Sequence, residues 1–557
     1  MSTDQTTIDH PGLRPDSRLT PEVIAQYEAS GQWLPETLSD QLTRAAQASP
    51  EVVAAVEYVG EPTRRAQVTY AEFDAMVDRY AAGLLRQGVE VGDSVVVMLP
   101  NSIDFAALIF AINRVGAVYT GIPVAYGGQE VVHILATMAP KVVVCEKAYA
   151  SARPVEVVRA SLGSLTPQLF VRGADDEELL EGEKSLADLA SDESVPFPDV
   201  DPRSVCHVGF TSGTTGAPKG VLNTNQTLIA VLANWLRYFG RENLGEHVVN
   251  ALMSPVGHHS GFLWGVVLTA RLGGTAVHLD KWSPQRGADL LRAEGATVYY
   301  GAPTFMQDLL TTDLVGDPDC KLRAAIVTGS PVPRSLPGQA HDAFGAYVGS
   351  AWGMTEIGIG ISCRPSMSER ELASDGRAVD GVEVRIVGAD GAPLGPHETG
   401  RLQVRSAGLF LGYLNLPDKT AEEIDPDGWF DTGDNARVDE DGLVYLDGRS
   451  KDIIIRGGEN IPVVAVESAL YTHPRVVDAA VVGVPDERLG ERACAVVVLD
   501  DAGPALELTD LNAHLLEHGV SKHYLPERLV LLDSLPKTPS GKIRKVELRG
   551  LAQSEPS

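Results

Sequence analysis

Between about residue 50 and residue 350, short apolar runs alternate with amphipathic stretches, and that alternation leaves few folds open. Ser94–Leu99, Lys141–Cys145, Thr275–Leu279, Thr297–Tyr300 and Ala324–Val327 read as strands, whereas Ile103–Asn113, Asn225–Tyr238 and Pro284–Glu294 carry apolar residues at helical spacing. Strand–helix–strand order of this kind predicts parallel sheets wrapped by helices. A stretch of about 300 residues exceeds what one sheet and one core accommodate, so the pattern predicts two α/β lobes.

The texture then changes. Val382–Val387 and Arg401–Arg405 alternate polar and apolar residues around an Asp390-Gly391 turn, and Leu443–Leu446 is a further short run, which together predict a small antiparallel β-barrel over about 378–447. After Gly448 a unit of about 110 residues begins, with strands near Ile453, Val477 and Cys494 and helices near Val464 and Leu511, the size of a separate α+β domain. Residues 1–35 read as an arm with one short helix. The expected fold is therefore α/β: a large N-terminal domain over 36–449, made of two α/β lobes plus the barrel, followed by a small α+β C-terminal domain over 450–557.

One segment speaks directly of chemistry. Residues 210–220 read Phe-Thr-Ser-Gly-Thr-Thr-Gly-Ala-Pro-Lys-Gly and follow a strand-like run, Val205–Phe210. Gly213 and Gly216 let backbone N–H groups approach a phosphate. Thr211, Ser212, Thr214 and Thr215 add hydroxyl donors, and Lys219 adds a mobile positive charge. The segment satisfies neither the G-x-x-x-x-G-K-[ST] loop nor a G-x-G-x-x-G fingerprint, so it indicates phosphate without fixing the reaction.

Charge and cysteine usage narrow the classes. The formal net charge of −29 disfavours nucleic acid and anionic membranes as partners. No apolar run is long enough to span a bilayer. The five cysteines, at 145, 206, 320, 363 and 494, stand singly with neither a C-x-x-C pair nor zinc spacing, as expected of reduced thiols in a cytoplasmic protein.

Five further segments follow in order: Gly329-Ser330-Pro331; Gly349-Ser350-Ala351-Trp352-Gly353-Met354-Thr355-Glu356; Gly428-Trp-Phe-Asp-Thr-Gly-Asp434; Asp447-Gly-Arg449-Ser-Lys451-Asp452 with Arg456-Gly457-Gly458-Glu-Asn-Ile461; and Leu535-Pro-Lys-Thr-Pro-Ser-Gly-Lys542-Ile-Arg544. With the loop at 211–219, this ordered set resembles the adenylate-forming superfamily of acyl-CoA ligases, nonribosomal-peptide adenylation domains and firefly-type luciferases, over residues 35–545. The resemblance implies that Thr211–Lys219 holds the β- and γ-phosphates of ATP. It implies that Gly329, Ser330 and Pro331, with Gly349, Ser350, Ala351, Trp352 and Gly353, surround adenine. Trp352 stands where many members carry tyrosine, and a flat ring survives. Thr355 is expected at the α-phosphate, Glu356 on Mg²⁺, Asp434 on the ribose hydroxyls with Arg449 supporting it, and Lys542 between the acid's carboxylate and the α-phosphate. Thr355–Glu356 alone also reads as the cap of a helix starting at Ile357. The resemblance further implies that the C-terminal domain is mobile, with its hinge at Lys451, and that Gly457 and Gly458 replace Lys542 when coenzyme A enters.

The acid itself is less legible. Ser254–Trp264 places His258 at the family's gating position, and Pro-x-Gly-His-x-[ST]-Gly-Phe looks most like bacterial short-chain and cyclohexanecarboxylate CoA ligases. The resemblance implies that amino-acid adenylation domains carry an aspartate near residue 254 for the substrate ammonium; none occurs from Met253 to Trp264, against an amino-acid substrate. His258, Phe262, Trp264, Thr328, Met354 and Ile359 are the expected pocket wall, suited to an aliphatic or alicyclic acid. The alternatives are a stand-alone enzyme loading a carrier protein, which the stretch Leu19–Tyr27 also resembles, and a relative running one half-reaction. The oligomeric state stays open, a homodimer among the readings. Arg475, Arg488 and Lys522 are candidates for the 3′-phosphate of coenzyme A.

Overall fold

The computed structural model describes residues 20–554 apart from 61–62, 175–177, 212–217, 450–451, 453, 457–458, 487, 501–505 and 539–540. Two large sheets dominate it. The first has nine strands, in the order Arg377–Ala378, Gly358–Ser362, Tyr347–Met354, Ala324–Val327, Val298–Gly301, Val249–Leu252, Thr275–Leu279, Val53–Val59 and Arg64–Thr69. Its middle is parallel, and antiparallel pairs finish both ends. The second has eight strands, in the order Gly412–Tyr413, Lys219–Thr224, Val205–Thr211, Val118–Gly121, Ser94–Met98, Val142–Glu146, Gln168–Arg172 and Glu183–Ser185.

The strands Ser94–Met98 and Val142–Glu146 are buried along their whole length, as parallel strands covered on both faces must be. Helices Tyr70–Arg86, Ile103–Arg114 and Asn225–Phe239 lie between the sheets and share one core with both. Two further cores cover the outer faces. Local chemistry starts these helices: Ser102 accepts from the Phe105 N–H, and Thr224 and Thr227 form a reciprocal cap. The two-lobe expectation is met. The arm contributes helix Pro21–Ala29, and Trp33 fastens the chain behind it by donating its indole N–H to the Ala407 carbonyl at 2.9 Å.

The stretch expected as a barrel forms a four-stranded antiparallel sheet, Val382–Val387, Gly400–Ser406, Phe430–Val438 and Val444–Arg449, over its own core. No ladder closes it among the described residues. The last sheet pairs Val476–Asp486 with Gly490–Leu499, sets Arg528–Leu531 parallel beside the latter, and carries the short pair Ile454–Arg456 and Glu459–Ile461 at its end. Cores on both of its faces give it a hydrophobic interior of its own. No described helix is long and apolar enough to cross a membrane.

Two local features follow from strand pairing. Val205–Thr211 has an antiparallel partner, Lys219–Thr224, with Thr211 opposite Lys219. The phosphate-type segment thus joins two paired strands. Gly349–Met354 lies inside the strand Tyr347–Met354, and Thr355–Glu356, which alone also read as a helix cap, opens a turn into a returning strand, Gly358–Ser362, not a helix. The apolar run from Ile357 to Ile361 is compatible with either element, and pairing with the neighbouring strand selects the second.

Candidate active site

The carboxyl-terminal end of the first sheet, the four-stranded sheet and the end of the chain meet at one place. Trp352 sits at a bulge of its strand, which re-aims the side chain. Its indole N–H donates to Asp434 Oδ2 at 2.8 Å. Asp434 is opposite Arg449 across the adjoining antiparallel pair, and Arg449 Nε stands 3.6 Å from Asp434 Oδ1. Burial raises the Asp434 pKa, and Arg449, Trp352 and Lys542 oppose that rise.

Lys542 comes from the far end of the sequence. Thr538 shapes its turn, accepting from the Lys542 N–H through Oγ1 at 3.1 Å and donating its own N–H to the Lys542 carbonyl at 2.7 Å. Thr304 Oγ1 donates to the neighbouring Gly541 carbonyl at 3.1 Å, fastening this turn to the N-terminal part. The Lys542 side chain runs over Gly329. Desolvation lowers its pKa, Arg449 lowers it further, and Glu356 and Asp434 pull it back up. The Lys542 charge also reaches His258, whose pKa falls to about 3, chiefly through burial.

Glu356 is 3 % exposed. Its Oε1 accepts from the Tyr413 hydroxyl at 3.0 Å, while Oε2 is buried with no partner. Tyr413 also donates toward Glu423 Oε2 at 2.6 Å, and the Lys219 ammonium lies 3.9 Å above the Tyr413 ring and 3.4 Å from Glu423 Oε1. An orphaned carboxylate oxygen beside a phosphate-type lysine suits a Mg²⁺ ion, which takes oxygen ligands and bridges phosphate oxygens. Glu356 would hold it, and bound there it would neutralise charge on a triphosphate. Sequence reasoning missed Tyr413 and Glu423: Tyr413 stands in an apolar run, and Glu423 in a charged stretch, 418–427, that reads as a solvated face.

Thr355 lines a narrow cleft together with Gly121, His207, Gly209, Phe210 and His258. Of the adenine-side residues, Ser330 is half-buried and Pro331 exposed, and the Ser350 hydroxyl turns away toward Cys363 and the Ser374 carbonyl. Of the expected pocket wall, Phe262 is buried with its ring stacked 4.4 Å from His207, and Trp264 stacks on Tyr300 at 5.6 Å with its edge to Trp235. Met354 and Thr328 are half-buried, and Ile359 is enclosed on the returning strand. Ser212, Gly213, Thr214, Thr215, Gly216, Lys451, Gly457 and Gly458 lie outside the described residues.

Comparison with known proteins identifies the family. The chain matches the AMP-binding enzyme family over residues 42–414 and the AMP-binding enzyme C-terminal domain over residues 465–542. It is 32% identical to the medium-chain fatty-acid–CoA ligase of Escherichia coli (strain K12) over 94% of this chain and 92% of that one. It is 31% identical to the salicyl-AMP ligase / salicyl-S-ArCP synthetase of Mycobacterium tuberculosis, again over 94% and 92%. The crystal structure of ATP-bound MatB from Rhodopseudomonas palustris superposes with a TM-score of 0.81 at 28% identity, covering 93% of this chain and 99% of that one. Enzymes of this kind use ATP, Mg²⁺ and coenzyme A. The chain belongs to the AMP-binding enzyme family and is an adenylate-forming acyl-CoA ligase of mixed α/β fold, with a large N-terminal and a small C-terminal domain.

Proposed function

We propose that this enzyme activates an aliphatic or alicyclic carboxylic acid. A carboxylate oxygen attacks the α-phosphorus of ATP and pyrophosphate leaves; the thiol sulfur of coenzyme A then attacks the acyl-adenylate carbonyl, losing its proton, and AMP leaves. The observation that carries the reading is the convergence of Lys542, from the end of the chain, with Gly329, Glu356 and Asp434. In the first step both reactants are anionic, so the barrier is one of positioning and charge. The nucleophile is already ionised and needs no base. Lys542 supplies the positive charge where negative charge builds, Thr355 contacts the α-phosphate, and His258 gates the acyl carbonyl. Thr211–Gly216 and Lys219 grip the outgoing phosphates, and the segments at 329–331 and 349–353 surround adenine.

The second step is assigned to a rearranged C-terminal domain, 450–557, turning at Lys451 and presenting Gly457 and Gly458. Gly448, at φ +102, is already in backbone territory that side chains avoid, which suits a pivot beside it. The apolar character of Phe262, Trp264, Met354 and Ile359 supports a hydrocarbon-like acid. A panel of C4–C12, alicyclic and aryl acids, scored by thioester mass, tests this; the expected product is an aliphatic or alicyclic acyl-CoA. No thioester with any acid, alongside acyl transfer to a phosphopantetheinyl protein, would favour the carrier-loading reading, which the salicyl-S-ArCP synthetase relative supports.

Asp434 gives a separate check. A carboxylate accepting from both ribose hydroxyls contributes charge-assisted bonds of about 1.5–3 kcal/mol. Asp434→Ala is therefore expected to raise the KM for ATP roughly 10- to 100-fold with a smaller change in kcat. An unchanged KM would remove Asp434 from the nucleotide site.

A further inference from the structure

Three imidazole nitrogens are buried without a hydrogen-bond partner on one flank of the site: Nδ1 of His207 and both ring nitrogens of His259. The two side chains are enclosed, His207 at 3 % and His259 at 8 % exposure. Their rings lie 5.6 Å apart, and His207 packs against Phe262 at 4.4 Å and Tyr119 at 5.5 Å, the three rings forming one cluster. Both histidines line the cleft that Thr355 and His258 also line. Gly209 permits the approach to the reaction centre: a Cβ there would stand 2.8 Å from both His207 Cε1 and Thr355 Cγ2.

Packing does not account for these residues. Stacking on Phe262 and Tyr119 requires only a flat ring, which phenylalanine would provide, and a buried nitrogen without a partner costs about 1–3 kcal/mol. Unused hydrogen-bonding capacity on two residues that line a cleft beside the reacting atoms is capacity for a ligand. Burial takes the His207 pKa well below its ordinary value and that of His259 down to about 4. Both rings are neutral at working pH, each with one donor and one acceptor nitrogen. Among the described residues no lysine or arginine lines the cleft, and Lys542 is assigned to the reacting carboxylate. The flank therefore suits an uncharged oxygen better than a second carboxylate.

We propose that His207 and His259 form a hydrogen-bonding subsite for a hydroxyl or oxo group on the acid's chain, close to its carboxylate. The preferred substrate is then an oxygenated aliphatic or alicyclic acid rather than its plain hydrocarbon parent. This rests on the acid-activation reading above. A site built to bond a substrate oxygen discriminates against the analogue that lacks it, because its own polar groups are left unpaired.

The test is ATP–pyrophosphate exchange without coenzyme A on matched acids: butanoate with 2- and 3-hydroxybutanoate, pentanoate with 4-oxopentanoate, cyclohexanecarboxylate with its 2- and 3-hydroxy forms, and succinate. The expected result is a kcat/KM at least about tenfold higher for the best oxygenated acid than for its parent, with succinate below both. His207→Phe and His259→Leu should each collapse that ratio toward one, and His259→Asn should retain part of it. Melting temperatures of the two apolar variants at or above the parent enzyme's would confirm that they fold; if they do not fold, the ratio in the unaltered enzyme still decides. Parent acids used as well as oxygenated ones across the panel would overturn the proposal. So would variants that keep the ratio and change only the KM for coenzyme A. Exchange with no acid at all would overturn the acid-activation reading itself, a different result.

Discussion

Lys542→Ala is expected to lower acid-dependent pyrophosphate exchange by at least about 100-fold while leaving coenzyme A transfer from a supplied acyl-adenylate within a few-fold of the unaltered enzyme. The size follows from what the lysine faces. One preorganised donor aimed at developing negative charge is typically worth about 10²–10³ in rate, and Lys542 is the residue of the C-terminal part that runs over Gly329 within the field of Glu356 and Asp434. The selectivity follows from the two-step reading. If the C-terminal domain turns before the thiol enters, Lys542 is no longer at the centre in the second step. Thr304 and Thr538 hold the turn through backbone atoms of Gly541 and Lys542, so truncating the side chain leaves that docking in place. Single-turnover measurement of both half-reactions checks this. Equal loss in both would mean that Lys542 stays put, and the domain-turn assignment would fall.

The fold was largely legible because its strands are written as apolar runs of strand length between amphipathic helices. Thr275–Leu279 and Ala324–Val327 run between the residues read from sequence. Places where sequence and structure part share a cause. The turn after Thr355 and the pairing of Thr211 with Lys219 are set by which strand lies alongside, a property of distant residues. Local pattern also read Thr355–Glu356 as a helix cap, and pairing with the neighbouring strand removes that reading.

The candidate site divides similarly. Residues carrying a backbone requirement, such as Gly329 at φ +92, or standing in glycine-rich order, such as Asp434 and Lys542, could be read because glycine and lysine are informative at loop positions. Tyr413, Glu423, His207 and His259 could not. Tyr413 lies on a two-residue strand and Glu423 at a helix end, and their relation to Glu356 and Lys219 arises only when the second sheet gains its edge strand. His207 sits within the strand that leads into the phosphate-type segment, and the lack of a hydrogen-bond partner at its Nδ1 is a three-dimensional fact.

Glu356→Gln is expected to separate stability from activity. The carboxylate is buried with one oxygen unpartnered, and burial pushes its pKa above the ordinary value. For an acid whose folded-state pKa is raised, ionisation costs stability: the penalty is absent below the unfolded-state pKa and fully present above the folded-state one. Glutamine keeps an acceptor for the Tyr413 hydroxyl and removes the charge. The variant should therefore melt higher than the unaltered enzyme at pH 8, by about 1–2 °C for a relief near 1 kcal/mol in a chain of this size, and the gap should close toward pH 4. Activity should move the other way. With the charged ligand gone from beside the triphosphate, pyrophosphate exchange should fall by about 100-fold or more, a loss of about 2.7 kcal/mol in transition-state stabilisation. The Mg²⁺ concentration for half-maximal rate should rise. A variant that melts lower at every pH would show that Glu356 stabilises the fold as a carboxylate, and one that keeps both its rate and its Mg²⁺ dependence would remove it from the metal site. A buried charge that weakens the free enzyme and is used only when a cation and a polyphosphate arrive is what a binding centre requires, because the unfavourable desolvation is already present before the ligand binds.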